Sequence, residues 1–196
     1  MNIEDIKKLR AMTGAGMMAA KQALEQAGGD IDKAVDVLRL AGQATAAKKA
    51  DREARNGLIE SYTHSGRIGV LVEINCETDF VARTEDFKQF AHDVAMHIAA
   101  ASPEYVTPED VPEERRDKEK DFYRTELASQ NKPAEMVDKI IDGKLSKFYE
   151  TICLMQQPFV KDPDQSIADL TKALIGKLGE NIVIRRFARI ELGENV

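Results

Sequence analysis

No stretch of the chain approaches about eighteen consecutive apolar residues, the least that would cross a bilayer as a helix, so a helical membrane span is excluded. Cysteine is scarce. Cys76 and Cys153 are far apart, give no zinc pattern, and fit a chain kept where thiols stay reduced. A dense basic surface is missing too. The net charge is −6, whereas phosphate binding needs the opposite sign, so nucleic acid is not expected as the main partner. No secretion signal is read at the start: Met1-Asn-Ile-Glu-Asp-Ile-Lys-Lys8 already has the pattern of a charged amphipathic helix, and a cytoplasmic protein is the expectation. There is no phosphate loop, nucleophile elbow or dinucleotide fingerprint. Gly14-Ala-Gly16 has no strand before it and reads as a helix break.

What is present is an ordinary globular composition, 196 residues and 43% apolar, enough for one larger domain or a small domain plus a medium one. Charge is mildly asymmetric: residues 1–56 carry 10 Lys/Arg against 8 Asp/Glu (+2), and the remainder 18 against 26 (−8), which a solvated surface explains. Three short helices fill the first forty residues. The first places Ile3, Ile6 and Leu9 on one side. The second, from about Gly16 to Ala27, places Met17, Ala20, Leu24 and Ala27 inward and Met18 elsewhere. Gly28-Gly29 ends it, and Asp30 caps a third helix with Ile31, Ala34, Val35 and Leu38 inward. Residues 1–40 thus resemble a ubiquitin-associated (UBA) type domain. Residues 41–56, alanine-rich and polar nearly all round, read as a solvent-exposed, partly helical linker.

The period then changes to two. Leu58–His64 and Arg67–Asn75 form a hairpin about Ser65-Gly66, with Ile68, Val70, Val72 and Ile74 on one face. A helix from about Glu85 to Ala100 carries Phe87, Phe90, Ala91, Val94 and Ile98 on one stripe and is expected to cover that face. A charged helix from Glu113 to Ser129 follows, and Lys132-Pro133 opens another, with Pro133 in its first turn. Gln157-Pro158 and Asp162-Pro163 mark a loop around Phe159. A last helix ends at Gly179, and a last strand, Ile182–Leu192, places Ile182, Ile184, Ala188, Ile190 and Leu192 on one face as a third antiparallel strand. Residues 57–196 are therefore predicted to be an α+β core of helices packed on a small three-stranded antiparallel sheet.

Few residues suggest chemistry. His92 and His97 lie about 140° apart on a helix, and Asp93 with His97 gives only two ligands where a metal needs three or four, so neither a metal nor a cofactor is expected. Cys76 has no histidine base nearby and reads as a strand cysteine. Met18, off the buried stripe and next to glycines, suits a protein contact as well as it suits a benign surface position. The segment Glu73-Ile-Asn-Cys-Glu-Thr-Asp-Phe-Val-Ala-Arg83 is the most informative: a strand runs into a turn where Asp79 stands beside Phe80. Taken alone, this pair is either a helix cap and a hydrophobic staple, or a charge and a wedge aimed at another protein.

That segment and Leu9-Arg-Ala-Met-Thr-Gly-Ala-Gly-Met-Met-Ala-Ala-Lys-Gln-Ala-Leu24 resemble, without a gap, the two hallmark motifs of the bacterial elongation factor Ts family. The ending Gly179-Glu-Asn-Ile-Val-Ile-Arg-Arg-Phe187 also fits, so the resemblance covers essentially the whole chain. It implies a guanine nucleotide exchange factor that binds elongation factor Tu with GDP, without bond-making chemistry of its own. By resemblance, Thr78, Asp79, Phe80 and Val81 form the loop that dislodges the partner's Mg²⁺, and Met17 and Met18 dock the N-terminal domain on the partner. Longer members carry a second core module and an inserted helical hairpin. This chain has one strand hairpin of the hallmark type, like the short single-core form, and two copies can supply what one long chain supplies, which points to a homodimer. No cysteine in the last strand is available to tie such a dimer. Two rivals, a pure interaction module acting through residues 1–40 and a metal enzyme built on Cys76, Asp79 and a histidine, leave one or both motifs unexplained.

Overall fold

The computed structural model describes residues 2–128 and 133–194. In chain order the first half contains α1 (Ile3–Thr13), α2 (Met17–Gln26), α3 (Ile31–Lys49), β1 (Asn56–His64), β2 (Ile68–Cys76), α4 (Asp79–Ala82) and α5 (Glu85–Ala101). The second half contains α6 (Glu113–Ala128), α7 (Ala134–Ile152), β3 (Pro158–Phe159), β4 (Asp162–Ser166), α8 (Ile167–Leu178) and β5 (Ile182–Glu191). The class is α+β, with a three-stranded antiparallel sheet in the order β1-β2-β5, as the alternating patterns predict. The chain divides between two compact units. The first takes the chain up to Ile59, Glu73–Ala91 and Asp169–Ile184; the second takes Glu60–Val72, His92–Ala168 and the chain from Arg185 onward.

In the first unit, Asn2 caps α1 by accepting from the Glu4 N–H at 3.2 Å, and Asp30 caps α3 by accepting from Lys33 N–H at 3.1 Å. The three helices bury Ile6, Leu9, Ala20, Ala23, Leu24 and Ala34 together. Each fully buried leucine or isoleucine there contributes roughly 1.5–3 kcal/mol. Ile3 and Met17, expected on the inner stripes, are exposed instead. Both stand in the first turn of a helix. Side chains there lean back toward the N-terminus, off the end of their own helix.

The first part of the segment expected to be a partly helical linker is helical. Helix α3 continues to Lys49, and Gly42 and Ala46 are buried in it. Four residues apart, they form a row of minimal side chains on one face. A polarity count sees no apolar stripe in such a row, but a second helix can approach it closely.

Strand β2 is central and buries Val70, Val72, Ile74 and Cys76 in alternation. The hairpin turns at Ser65 and Gly66, both at positive φ (50° and 67°), the left-handed pair that matches the twist of the flanking strands. The inner stripe of α5 is as expected, with Phe87, Phe90, Ala91, Val94 and Ile98 all buried. The even-numbered face of β5 is only partly covered. Ile182 and Ile184 are buried in the first unit, whereas in the second Ala188, Ile190 and Leu192 are exposed.

In the second unit α6 and α7 pack on each other through Leu127, Ile141 and Leu145, with Tyr123 and Val137 alongside. The expected helix end at Ser129 and the opening Lys132 lie outside the described residues, and Pro133 stands at the cap of α7 rather than inside its first turn. The loop expected around Phe159 contains a small ribbon, β3 against β4, pairing Pro158 with Ser166 and Phe159 with Asp162. Two-residue pairing is too short to leave a period in the sequence.

His97 is wholly buried in this unit. Its Nδ1 accepts from Val160 N–H at 3.3 Å, and its Nε2 lies 2.9 Å from Gln157 Oε1. Gln157 spends its amide N–H groups on the carbonyls of Thr151 (2.8 Å) and Ala101 (3.4 Å), so its oxygen faces the ring and Nε2 must be the donor. Only the neutral imidazole satisfies both neighbours. Burial lowers its pKa below the ordinary 6.5, outweighing the opposite pull of Gln157. The folded chain therefore binds fewer protons here than the unfolded chain. The stabilisation is complete above about pH 6.5 and is lost as pH falls from there toward the folded pKa. Urea melts between pH 7.5 and pH 5 are expected to show stability falling more steeply with acid in the wild type than in His97→Gln.

Candidate functional site

Strand β2 ends at Cys76, and two residues later the chain turns into α4, a single helical turn. Thr78 is the N-cap of that turn, its hydroxyl accepting from Val81 N–H at 3.5 Å. Thr84 caps the next helix, accepting from Phe87 N–H at 3.3 Å and donating to the Val81 carbonyl at 2.8 Å. Both capping roles thus belong to threonines. Among the described residues Asp79 caps no helix, and it pairs at the surface with Arg83 at 2.8 Å. Phe80 is stapled to nothing and is 80% exposed. The cap-and-staple alternative is removed, and an aromatic ring stands in solvent on a turn fixed at both ends.

The fixing comes from residues a hundred positions away. Glu180 accepts from the Thr78 N–H at 2.9 Å with one carboxylate oxygen and from the Thr78 hydroxyl at 2.6 Å with the other. The return exchange is made by Glu77, whose carboxylate accepts from the Asn181 N–H at 2.7 Å. Asn181 donates its side-chain amide to the carbonyls of Ala50 (3.3 Å) and Arg52 (2.7 Å), just beyond α3. Asn56 donates to the Glu77 carbonyl at 2.7 Å, and Arg52 lies 3.4 Å from its carboxylate. The Asn181 N–H, followed by the Arg52 guanidinium, holds the Glu77 carboxyl below the usual carboxylate range against the opposing effect of burial.

The same segment is tied to the helices of the first unit. Lys49, at the end of α3, donates to the Gly179 carbonyl. Arg39 of α3 lies 3.6 Å from Asp169, and Lys177 of α8 pairs with Asp86 at 2.6 Å. Between these ties α3 and α8 meet glycine to glycine: a Cβ added at Gly176 would lie 2.9 Å from the Gly42 Cα. Met17 and Met18, at the start of α2 in the same unit, are 51% and 63% exposed. Both side chains, not Met18 alone, are therefore exposed.

The other candidates do not assemble. Cys76 is buried, donates to the Thr78 carbonyl at 3.1 Å, and is pushed up to about 11, by burial first and by Glu180 second. His97 is enclosed as described, and His92 lies at the surface, 3.3 Å from Glu60. Among the described residues no three His, Cys, Asp or Glu side chains are grouped to hold a metal, and no helix is long and apolar enough to cross a membrane.

The profile of the family described as Elongation factor TS matches residues 2–174. The chain belongs to the elongation factor Ts family. It is 56% identical to the elongation factor Ts of Carboxydothermus hydrogenoformans over 97% of this chain and 88% of that protein. Identity is 53% with the protein of Caldanaerobacter subterraneus subsp. tengcongensis, over 100% of this chain and 98% of the relative. It is also 53% with that of Thermodesulfovibrio yellowstonii, over 96% and 94%. The chain is thus a member of a family of translation elongation factors, and its length is close to that of these relatives.

Both segments that carried the resemblance to elongation factor Ts lie in the first unit. What sequence reasoning missed is their support: Glu77, Glu180, Asn181 and Arg83, together with the glycine pair. In the sequence the ending Gly179-Glu-Asn stands out only as part of a motif. Its pairing with Glu77-Thr78 spans more than a hundred residues and leaves no local period. Gly176→Ala puts a methyl against the backbone of α3, which cannot rotate away. It is expected to destabilise the chain by about 1–3 kcal/mol in a urea melt, where an exposed helical glycine would gain from the same change.

Proposed function

We propose that the chain is a guanine nucleotide exchange factor for elongation factor Tu: it binds the GDP form, displaces Mg²⁺ and promotes GDP release so that GTP can enter. The observation that carries this reading is Phe80, an aromatic side chain 80% exposed on a turn held at both ends. Exposing a large ring on a rigid mount costs solvation without any return inside the fold, and suits insertion into a partner. Thr78, Asp79, Phe80 and Val81 form the inserting loop. Phe80 wedges between elements of the GTPase, and Asp79 competes for hydrogen bonds at the Mg²⁺ site. The metal there offsets phosphate charge, so disturbing one of its supports weakens nucleotide binding sharply. The Asp79–Arg83 pair must open for this, a small cost, since exposed pairs contribute about 0–1 kcal/mol.

Met17 and Met18 are the docking residues of the N-terminal part, their flexible thioethers adapting to a helix of the partner. Residues 1–40 then serve as the docking domain, 41–56 as the connection and 57–196 as the core that carries the loop. By linkage the chain lowers nucleotide affinity by the factor by which nucleotide lowers its own. No bond is made or broken, no cofactor is required, and the site of action is the cytoplasm, without nucleic acid or membrane as partner.

A homodimer completes the reading. In the second unit Ile190 (73% exposed), near the end of β5, and Leu192 just beyond it are bare apolar side chains suited to being covered by a second copy.

Release of fluorescently labelled GDP from elongation factor Tu tests the exchange reading. Phe80→Ala is expected to slow catalysed release on the order of a hundredfold, while its thermal melt stays within about 0.5 kcal/mol of wild type. Asp79→Ala is expected to slow release less and to leave complex formation largely intact. Release at the wild-type rate by Phe80→Ala would sink the wedge. For the dimer, light scattering is expected to give twice the chain mass for the wild type and the single-chain mass for Ile190→Glu.

A further inference from the structure

We propose that Glu180 is a positioning residue for the exchange loop, acting through Thr78 so that Phe80 is presented in one place and at one angle; the inference rests on the exchange reading above. Helix α4 has four residues. A single turn is far below the length at which a helix is stable alone, so its orientation must be imposed from outside. Thr78, the residue through which the chain leaves the strand, has all three polar groups engaged. Its N–H and hydroxyl both donate to the one Glu180 carboxylate (2.9 and 2.6 Å). Its carbonyl accepts from the Cys76 thiol at 3.1 Å and from Ala82 N–H at 3.4 Å. The hydroxyl's own bond to Val81 N–H is long, at 3.5 Å, so the cap by itself is weak and the carboxylate is the stronger hold.

Glu180 is in turn fixed by its neighbour. Asn181 is bound through its N–H to Glu77 and through its side chain to the carbonyls of Ala50 and Arg52. Glu180 therefore cannot drift without pulling the end of α3. Among the described residues nothing comparable holds Asp79 and Phe80 themselves: Asp79 pairs with the exposed Arg83, and Phe80 is in solvent. The two residues that act on the partner are steered from the residue before them. A wedge displaced by about 1 Å can lose a large part of its effect while the surfaces that dock remain intact. The signature of positioning is thus a split between rate and affinity.

The test uses the full chain and elongation factor Tu loaded with fluorescently labelled GDP. Glu180→Ala is expected to lower the plateau rate of GDP release at saturating exchange factor on the order of tenfold, with the half-saturating concentration changed less than about threefold. Hydrogen exchange of the amides at 78–82 is expected to quicken in the free variant. Glu180→Gln keeps the shape and one acceptor and is expected to lose about threefold, between the two. A wild-type plateau in Glu180→Ala, or unchanged amide protection at 78–82, overturns the proposal. If the alanine variant does not fold, the glutamine variant decides, and a wild-type plateau there overturns it equally. Phe80→Ala is run alongside. Wild-type release by Phe80→Ala defeats the wedge reading and the positioning role with it. Slow release by Phe80→Ala with fast release by Glu180→Ala defeats the positioning role alone.

Discussion

Two glutamates trade backbone hydrogen bonds across the chain: Glu180 accepts from Thr78 N–H, and Glu77 accepts from Asn181 N–H. The end of β2, the single turn of α4, the segment between α8 and β5 and the end of α3 all meet at this exchange. Its strength has a simple source. Each bond joins an ionised acceptor to a main-chain donor that has no ladder partner, and charge-assisted bonds of this kind are roughly twice as strong as neutral ones. One of the donors lies at the start of α4, where unpaired N–H groups also attract negative charge. Because the two bonds run in opposite directions between the same two segments, neither segment can slide or rotate while both bonds hold.

The helices behind this exchange are brought close by the removal of side chains. Gly42 and Gly176 let α3 and α8 approach until backbone meets backbone, and Lys49 then reaches the Gly179 carbonyl from the end of α3. Small residues give little hydrophobic gain by themselves. What they provide is a crossing that tolerates almost no variation, since any added atom collides with main chain. The first unit thus has a rigid frame of helix and strand ends, and its exposed features, Phe80 and the Met17-Met18 pair, are mounted on that frame. Exposed apolar groups on a mobile support would be an aggregation hazard. On a fixed support they suit the recognition of a partner that is proposed for them.

Much of the fold was legible in the residues. The stripes of α1 to α3, the alternation of β2, the inner face of α5 and the breaks at Gly14, Gly28-Gly29 and Gly179 follow from periodicity and from turn chemistry, which are local. The errors have a common cause. In residues 41–49 glycine and alanine are too small to mark a strong apolar stripe, so the burial of Gly42 and Ala46 was not expected, although a face of small residues is what a close helix crossing requires. Met17 read as core because angular position around a helix says nothing about whether a neighbour extends far enough to cover it. The β3–β4 ribbon is too short to show a period at all.

At the candidate site, the sequence by itself determined that an acid and an aromatic follow a strand, and that threonines flank them on both sides. Local spacing left open whether that pair faced inward or outward, since a cap with a staple and a wedge with a charge use the same residues. Only the tertiary structure decided the matter. Capping went to Thr78 and Thr84, Phe80 was left in solvent, and Thr78 was held by a carboxylate more than a hundred residues away. The physical reason is range. Periodicity and capping act over a few residues and are written into each segment, whereas the direction of a side chain on a one-turn helix depends on whatever distant group binds its first residue.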